Sequence, residues 1–169
     1  MFREMRRKNQ QLSKKEAEKI LKRGTSGVLA LGGGEEYPYA VPISYVYQDG
    51  KIYFHSAREG QKVDAVRKWG KASFCVVDAD QVMPEEYTTY YRSAIAFGRI
   101  RILTDKTEIL QALQLLADRY LPGGRRFGEE ELQQKYPSLC MLEMEVEHLT
   151  GKEAIELIRA EKRETEQSL

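Results

Sequence analysis

The dipeptide Asp49-Gly50 is the feature that most constrains the fold of this chain. It separates two strand-like segments, residues 37–47 and 52–56, which are rich in aromatic and β-branched side chains. Asp-Gly favours a two-residue hairpin turn, because both central residues of that turn need a positive φ. The two segments are therefore predicted to pair antiparallel. A doubly wound parallel sheet is disfavoured, since it needs a helix between successive strands.

Further strands are predicted before and after this hairpin, over residues 28–31, 72–77, 89–103 and 140–147. Gly98 interrupts the segment 89–103 and indicates a β-bulge or a close approach of two backbones. Residues 78–88 are predicted to form a loop. Six strands that follow one another with few intervening helices predict a mainly β fold with helices, built as a small six-stranded antiparallel barrel.

Helix signals lie around these strands. Ser13 and Glu16 form a capping box that predicts a helix over residues 13–23. A second helix is predicted over 61–69, and a third begins after Asp105 with an apolar stripe that reaches Tyr120. A weaker helix over 129–135 and a C-terminal helix from about Gly151 complete the prediction. Residues 1–155 are expected to form one domain, with 156–169 as a helix end and polar tail.

Length and charge limit the class of protein. A chain of 169 residues with 41% hydrophobic side chains can bury a core as one domain. Its apolar runs are too short to span a membrane, and its start lacks the apolar core of a secretory signal, so a cytoplasmic location is expected. Cys75 and Cys140 are expected to be reduced thiols buried in the core.

The net charge of the whole chain is +1, although the first 23 residues carry nine basic and three acidic side chains. This basic segment is expected to be a solvated helix face. A nucleic-acid-binding protein that uses it is the weaker alternative.

Several common catalytic patterns are missing. Gly32-Gly33-Gly34 is followed by two glutamates and lacks the lysine of a phosphate-binding P-loop, so a hairpin turn is expected there. His55 and His148 have no His or Cys neighbour at ligand spacing, and no metal site is predicted. The nucleophile elbow Gly-x-Ser-x-Gly does not occur.

The stretch from His55 to Lys62 is the most informative candidate site. It leaves a strand, turns at Gly60 and enters a helix, whose free amide groups and positive dipole suit a phosphate. Ser56 adds a hydroxyl, and Arg58 and Lys62 add positive charge. An ordinary strand–helix junction with two surface cations is the alternative.

Pro42 interrupts the neighbouring strand and predicts an edge or a bulge there, with backbone groups free to bond a flat heterocycle. His55 lies on the strand paired with this one. A lone histidine on a strand is usually structural, but this one adjoins the predicted phosphate site.

Five ordered segments carry a family resemblance: GEEYPYAVPISYVY at 34–47, DGKIYFHSAREGQK at 49–62, VRK at 66–68 followed by ASFCV at 72–76, YTTYYRSAIAFG at 87–98 and EHLTGK at 147–152. Together they resemble the flavin-nucleotide-binding members of the pyridoxamine 5′-phosphate oxidase superfamily, and among these most of all the 5-nitroimidazole-resistance proteins. The resemblance extends over about residues 3–153. The sequence departs from the family pattern at Ala94 and at Trp69-Gly70.

The resemblance implies a Greek-key split β-barrel that binds FMN at the interface of a homodimer. It implies that the strand carrying Val41, Pro42, Ile43, Ser44 and Tyr45 lies along the flavin ring. His55, Ser56 and Ala57 would flank the ring and ribityl chain, and Gly60, Gln61 and Lys62 would hold the phosphate. Tyr91 and Ser93 would line the site, from a subunit that the resemblance leaves open. His55 matches the active-site histidine of the nitroimidazole-resistance group.

The implied activity is reduction of a nitro compound or a related small acceptor, with His55 donating a proton or positioning the substrate. Two alternatives stay open: a flavin- or haem-binding carrier or sensor without catalysis, and an oxidase acting on a vitamin B6 phosphate. The oxidase would need a second phosphate site, for which Arg125 and Arg126 are the candidates. These arginines lie in a glycine-rich loop and are expected to be solvated.

Overall fold

A computed structural model of the chain describes residues 2–32, 37–121, 123–124, 126–128, 130, 134 and 138–160. Its strands are β1 (Gln11–Leu12), β2 (Ser26–Leu31), β3 (Tyr39–Ser44), β4 (Val46–Gln48), β5 (Lys51–Ala57), β6 (Lys71–Met83), β7 (Thr88–Ile102) and β8 (Leu139–Glu153). Its helices are α1 (Lys14–Arg23), α2 (Gln61–Trp69) and α3 (Lys106–Tyr120), with residues 155–160 also helical. Short 3-10 turns cover Lys8–Gln10 and Pro84–Glu86.

The strands form one antiparallel sheet in the order β3-β2-β6-β7-β8-β5-β4, and β1 pairs with β8. Of the eight strands in the described chain, six have six residues or more, so the predicted class is confirmed and the count is extended by the short β1 and β4. The ends of the sheet, β3 and β5 with β4, approach each other without ladder pairing. The barrel is therefore split between β3 and β5.

The predicted hairpin is confirmed. Asp49 has a φ of 48° and Gly50 a φ of 81°, which are the positive values that the turn between β4 and β5 needs. The predicted single strand over 37–47 is divided at Tyr45 into β3 and β4. Pro42 lies on β3, an edge strand paired only with β2, as its missing amide hydrogen predicts.

The predicted loop over 78–88 is wrong. β6 continues to Met83 and pairs with β7 as far as Thr88, so the two strands extend as a long hairpin. Asp78 is the extra residue of a bulge between Val77 and Ala79. The side chains beyond this bulge are largely exposed, and a ladder that faces water needs no apolar alternation to persist.

The predicted C-terminal helix begins later than Gly151, which belongs to β8. Position 151 of β8 favours glycine, because a Cβ atom there would lie 2.9 Å from the Cβ atoms of both Ala17 and Leu12, which is too close. The bulge predicted at Gly98 is confirmed, with a register shift between Phe97 and Gly98. A Cβ on Gly98 would lie 1.9 Å from the Glu145 carbonyl oxygen.

Two apolar clusters hold the fold together. The larger fills the barrel and includes Phe54 and Phe74, with Ala17, Ile20 and Leu21 of α1 packed on it. The smaller lies between α3 and the outside of the sheet, and consists of Val46, Leu103, Ala112, Leu116 and Met141.

The predicted caps are both present. The Ser13–Glu16 capping box begins α1, and the Asp105 carboxylate accepts the Glu108 amide hydrogen at the start of α3. α2 spans the predicted residues and ends at Gly70 in the left-handed conformation.

Cys140 is buried as predicted, whereas Cys75 is half-buried on the outer face of β6. The predicted weak helix over 129–135 lies mostly outside the described residues, as do Gly33, Gly34, Arg125 and residues 161–169.

Candidate functional site

His55 lies at the rim of an apolar cleft. It stands on the outer face of β5, because its neighbour Phe54 points into the core. The cleft has a volume of about 400 Å³. It is lined by Ser44, His55, Leu113, Leu116, Ala117, Tyr120, Leu121, Phe127 and Leu139. Most of these residues come from α3 and from the chain that follows it.

The beginning of α2 is open to an anion. Gly60, the residue before the helix, has a φ of 117°, and no side chain caps the helix. The first amide groups of α2 are thus left available, as at many phosphate sites. The preceding residues, Ala57 to Gly60, are exposed.

The residues 57–60 and the first turn of α2 are here called the phosphate corner, and Lys62 is a cation within it. It is half-buried, and burial lowers the pKa of its ammonium group. Within the described part of the chain it makes no hydrogen bond or ion pair. The charge of Lys62 is therefore held partly out of water without an anionic partner.

Two arginines add to the positive potential. Burial raises the pKa of the Cys140 thiol, while Arg67, Arg58 and Lys62 oppose that shift, so all three cations lie near this sulfur. Arg58 donates from Nε to the carbonyl of Leu139 at 3.2 Å, which ties the loop to the start of β8. The corner can hold a dianion such as a phosphate monoester.

The strand β3 presents alternate side chains to the outside. Val41 and Ile43 pack against the barrel core, while Pro42 and Ser44 are exposed. The ring of Tyr45 is buried, and its hydroxyl donates to the Leu21 carbonyl at 2.7 Å. A ligand along this strand would not reach the buried ring of Tyr45 and would meet that residue through its backbone.

Ser56 and Ala57 lie on opposite faces of β5. Ala57 shares the exposed face of His55, whereas Ser56 is half-buried on the face of Phe54. Gln61 is exposed in the first turn of α2. The predicted residues of the 55–62 stretch are therefore gathered at one end of the barrel.

Tyr91 and Ser93 lie elsewhere in the chain. Ala94 is buried in the core, so alternation turns Ser93 and Tyr91 to the outer face of β7. The chain of β7 comes close to His55 only after the strand has ended, at Leu103. The Leu103 amide donates to the carbonyl of Met141, and Met141 on β8 is the cross-strand neighbour of His55 on β5. Ten residues from Ser93 to Leu103 correspond to about 30 Å of strand.

The surroundings of Tyr91 are polar. Its hydroxyl donates to Gln10 Oε1 at 3.4 Å, and the Lys152 ammonium lies 5.0 Å from its ring centroid. Tyr91 and Ser93 therefore form a second group, separate from the His55 end within one chain.

Between the two groups lies an uncharged surface, here called the outer-face patch. Two rows of cross-strand neighbours make it up. They are Pro42, Val28, Cys75, Ile95 and Thr150 in one row, and Ala40, Ala30, Ser73, Phe97 and His148 in the other. Phe2 stacks on His148 and covers one corner.

α3 contributes a wall of the cleft that the motifs around His55 do not indicate. Within its apolar stripe, Leu116 and Ala117 are buried. Leu113 and Tyr120, however, lie beside the cleft. In the sequence Leu113 and Tyr120 belong to the same apolar stripe as Leu116, so the stripe alone does not separate core-facing from cleft-facing side chains.

The end of α3 is fastened to the barrel by two side chains. The Tyr120 hydroxyl lies 2.6 Å from the Tyr45 carbonyl oxygen and 2.8 Å from that of Thr25. Arg119 donates to the carbonyls of Arg23 and Gly24 at the end of α1. The cleft wall is thereby fixed against the end of α1 and against Tyr45, the residue after β3.

No helix in the described residues is both long and apolar enough to cross a membrane. No cluster of three or more His, Cys, Asp or Glu side chains that could hold a metal ion is found among them.

Comparisons with known proteins agree with this geometry. The family model for pyridoxamine 5′-phosphate oxidase matches residues 13–153. No match was found among curated proteins.

Among solved structures, a candidate 5-nitroimidazole antibiotic resistance protein from Bacteroides thetaiotaomicron superposes with a TM-score of 0.73 at 19% identity, over 84% of this chain and 85% of that one. An FAD-binding protein from Mesorhizobium loti superposes at 0.63 with 26% identity, over 85% and 96%. An FAD- and heme-binding protein from Mycobacterium smegmatis gives 0.72 at 22% identity, over 86% and 73%.

Proposed function

The chain belongs to the pyridoxamine 5′-phosphate oxidase family, and on that premise we propose that it is an FMN-dependent oxidoreductase that reduces nitro compounds or related small acceptors. The observation that carries the proposal is the partnerless, half-buried Lys62 at the uncapped start of α2, next to the cleft of His55. A cation in the first turn of a helix interacts unfavourably with the helix dipole, and a bound dianion would compensate this interaction. A phosphate site therefore accounts for a lysine at position 62.

The described residues fit FMN as the ligand. Lys62, Gln61 and the amide groups after Gly60 would hold the phosphate. The free edge of β3 offers backbone groups to the edge of the ring, with Pro42 and Ser44 as the side chains that face it. When bound, FMN supplies one- and two-electron transfer, which protein side chains do not provide.

The role proposed for His55 is proton transfer or orientation of the acceptor. An imidazole can donate a hydrogen bond, accept one and transfer a proton, and among the described residues that line the cleft His55 is the one side chain of this kind. The apolar wall of α3 excludes water from that side. Exclusion of water strengthens polar interactions of the acceptor with His55.

We propose that the working unit is a homodimer with the FMN at its interface. The outer-face patch supports this, since it is uncharged over five strands and is flanked by the polar group of Tyr91. A two-fold axis through the outer-face patch would pair the patches of two subunits in opposite directions. The Tyr91 end of one subunit, with Ser93, would then lie against the His55 end of the other.

The absorption spectrum of the purified protein is the first test. Flavin bands, with FMN released on denaturation, are expected after reconstitution. Mixing the reduced protein with a 5-nitroimidazole in the absence of oxygen should then reoxidise the flavin. A protein that neither retains nor takes up FMN would refute the proposal, and a Soret band would indicate haem instead. A bound flavin that no nitro or quinone acceptor reoxidises would favour the carrier alternative.

The variant His55→Gln separates binding from turnover. Glutamine keeps hydrogen-bonding groups but cannot transfer a proton, so FMN affinity should stay within about twofold while the rate of acceptor reduction falls by about 10²-fold or more. Equal losses of FMN affinity and rate would contradict the proposed division of roles.

Oxidation of a vitamin B6 phosphate is the less supported alternative. A second phosphate site would be needed, and none of the described residues that line the cleft is a lysine or an arginine.

A further inference from the structure

The described residues that line the cleft beside His55 include no lysine, arginine, aspartate or glutamate. The walls of the cleft are leucine, alanine and aromatic side chains, and their polar groups are the His55 imidazole and the hydroxyls of Ser44 and Tyr120. The Tyr120 hydroxyl is already bonded to backbone carbonyls of the barrel. Among the described lining residues, the available polar groups are thus His55 and Ser44, both at the side formed by the sheet.

Two of the described cations near the cleft have other partners, and a third, Lys62, is assigned to the FMN phosphate. Arg119, next to Tyr120, donates to two carbonyls at the end of α1. Arg58 donates to the carbonyl of Leu139 at the rim. An anionic group inside the cleft would therefore lose its hydration without gaining a counter-charge from the described lining residues, which is unfavourable.

We propose that this cleft is the acceptor site and that it selects flat, uncharged aromatic acceptors over anionic ones. The inference rests on the proposed function, in which FMN occupies β3 and the phosphate corner, and it adds the charge class of the substrate. A volume of about 400 Å³ is in the range of small-ligand pockets. Ser44 lies both at the end of β3 and in the cleft, so an acceptor there adjoins the strand assigned to the flavin.

Leu113 is the selectivity residue that the geometry assigns. It is half-buried on α3 and lines the cleft, so a longer charged side chain there reaches the cleft from its exposed side. In Leu113→Lys an ammonium would supply the missing counter-charge for an anion. Gln111→Lys makes the same change of net charge on the same helix. Gln111 is exposed and lies about 200° around the helix from Leu113, so its variant is the matched control.

The test compares 1,4-naphthoquinone with 1,4-naphthoquinone-2-sulfonate, which share a ring system and differ by one negative charge. Dissociation constants are measured on the oxidised, FMN-loaded protein, so that no turnover occurs. The wild type and Gln111→Lys should bind the uncharged quinone at least tenfold more tightly than the sulfonate. Leu113→Lys should reduce that ratio to about twofold or reverse it. Equal binding of both quinones by the wild type would overturn the proposal, as would an unchanged ratio in Leu113→Lys.

A second variant protects the test against misfolding. Leu121 lines the cleft yet is 43% exposed, so Leu121→Lys is expected to fold and to shift the ratio in the same direction. If both variants lose FMN while their quinone preference is unchanged, the cleft holds the flavin ring and the inference fails, although the proposed function stands. If the wild type binds no flavin, the proposed function fails. The quinone titration of the ligand-free protein, followed by tyrosine fluorescence, then tests the cleft independently.

Discussion

Replacing Lys62 with methionine tests the phosphate corner most directly. Methionine keeps much of the apolar stem and removes only the charge. In the folded protein burial lowers the pKa of Lys62, and within the described chain no anion compensates it. The charged ammonium group therefore lowers the stability of the ligand-free protein. We propose that its interaction with the FMN phosphate offsets this loss.

The expected loss of affinity follows from the kind of bond. A hydrogen bond between charged groups contributes about 1.5–3 kcal/mol, and about 1.4 kcal/mol corresponds to a factor of ten in Kd. Lys62→Met should thus weaken FMN binding roughly 10- to 150-fold. Riboflavin, which has the same ring without the phosphate, should bind both proteins equally.

The assay is a titration of the ligand-free protein with each flavin, followed by quenching of flavin fluorescence. Arg67→Met is the matched control, because it removes one positive charge from the same helix at a residue already paired with Asp64 at 3.3 Å. Its affinity for FMN should change by about threefold or less, as expected for a solvent-exposed charge that is paired with Asp64 and screened by salt. An unchanged FMN affinity in Lys62→Met, or an equal loss for riboflavin, would refute the phosphate assignment.

The same variant makes a prediction about pH. Because the folded pKa of Lys62 lies below its unfolded value of 10.5, the unfolded state binds more protons between those two values, and stability rises with pH across that window. Lys62→Met should therefore stabilise the ligand-free protein at pH 7. The difference, measured by urea denaturation, should shrink as pH rises towards 10.5. A destabilised variant at pH 7 would contradict the reasoning.

Three further predictions concern the fold and the assembly. Gly98→Ala should lower stability by about 3 kcal/mol or more, which is roughly 6–12 °C in Tm in a thermal melt, because its Cβ would clash with the Glu145 carbonyl. The control Gly128→Ala, whose Cβ would meet no described atom within 4 Å, should be nearly neutral in the same melt. Burial raises the pKa of the Glu143 carboxyl, but hydrogen bonds from a lysine and an arginine outweigh burial, so the pKa is lowered. The stability that the ionised Glu143 contributes should therefore be lost as pH falls below about 4.5. Glu143→Gln should cost about 1–2 kcal/mol at pH 7 by urea denaturation, and a cost that does not shrink in acid would contradict this. Val28→Asp, in the middle of the outer-face patch, should yield monomers by analytical ultracentrifugation, whereas Val28→Thr should remain dimeric; a Val28→Asp protein that stays dimeric would place the interface elsewhere.

Much of the fold could be predicted because its signals are local. A positive φ at Gly50, a missing amide hydrogen at Pro42 and a capping hydroxyl at Ser13 each restrict a few neighbouring residues, whatever surrounds them. The loop predicted over 78–88 failed for the opposite reason. A strand that faces water carries no apolar pattern, and only pairing with β7 extends β6 to Met83.

The candidate site divides in the same way. The turn at Gly60 and the cation Lys62 are neighbours in the sequence, so a phosphate corner could be predicted before its shape was known. The α3 wall comes from residues more than fifty positions away from His55, and nothing near His55 indicates it. The placement of Tyr91 on the outer face, far from His55 along β7, likewise needed the register of the sheet.

The hairpin, the helix ends, the edge strand and the charged turn could be predicted from the sequence, because each depends on a few adjacent residues. The extent of β6 and β8, the face of α3 that meets His55 and the position of Tyr91 on another part of the surface could not. Those outcomes depend on which distant segments pair and pack, and the hydrogen bonds and buried contacts that fix them exist only once the barrel has formed.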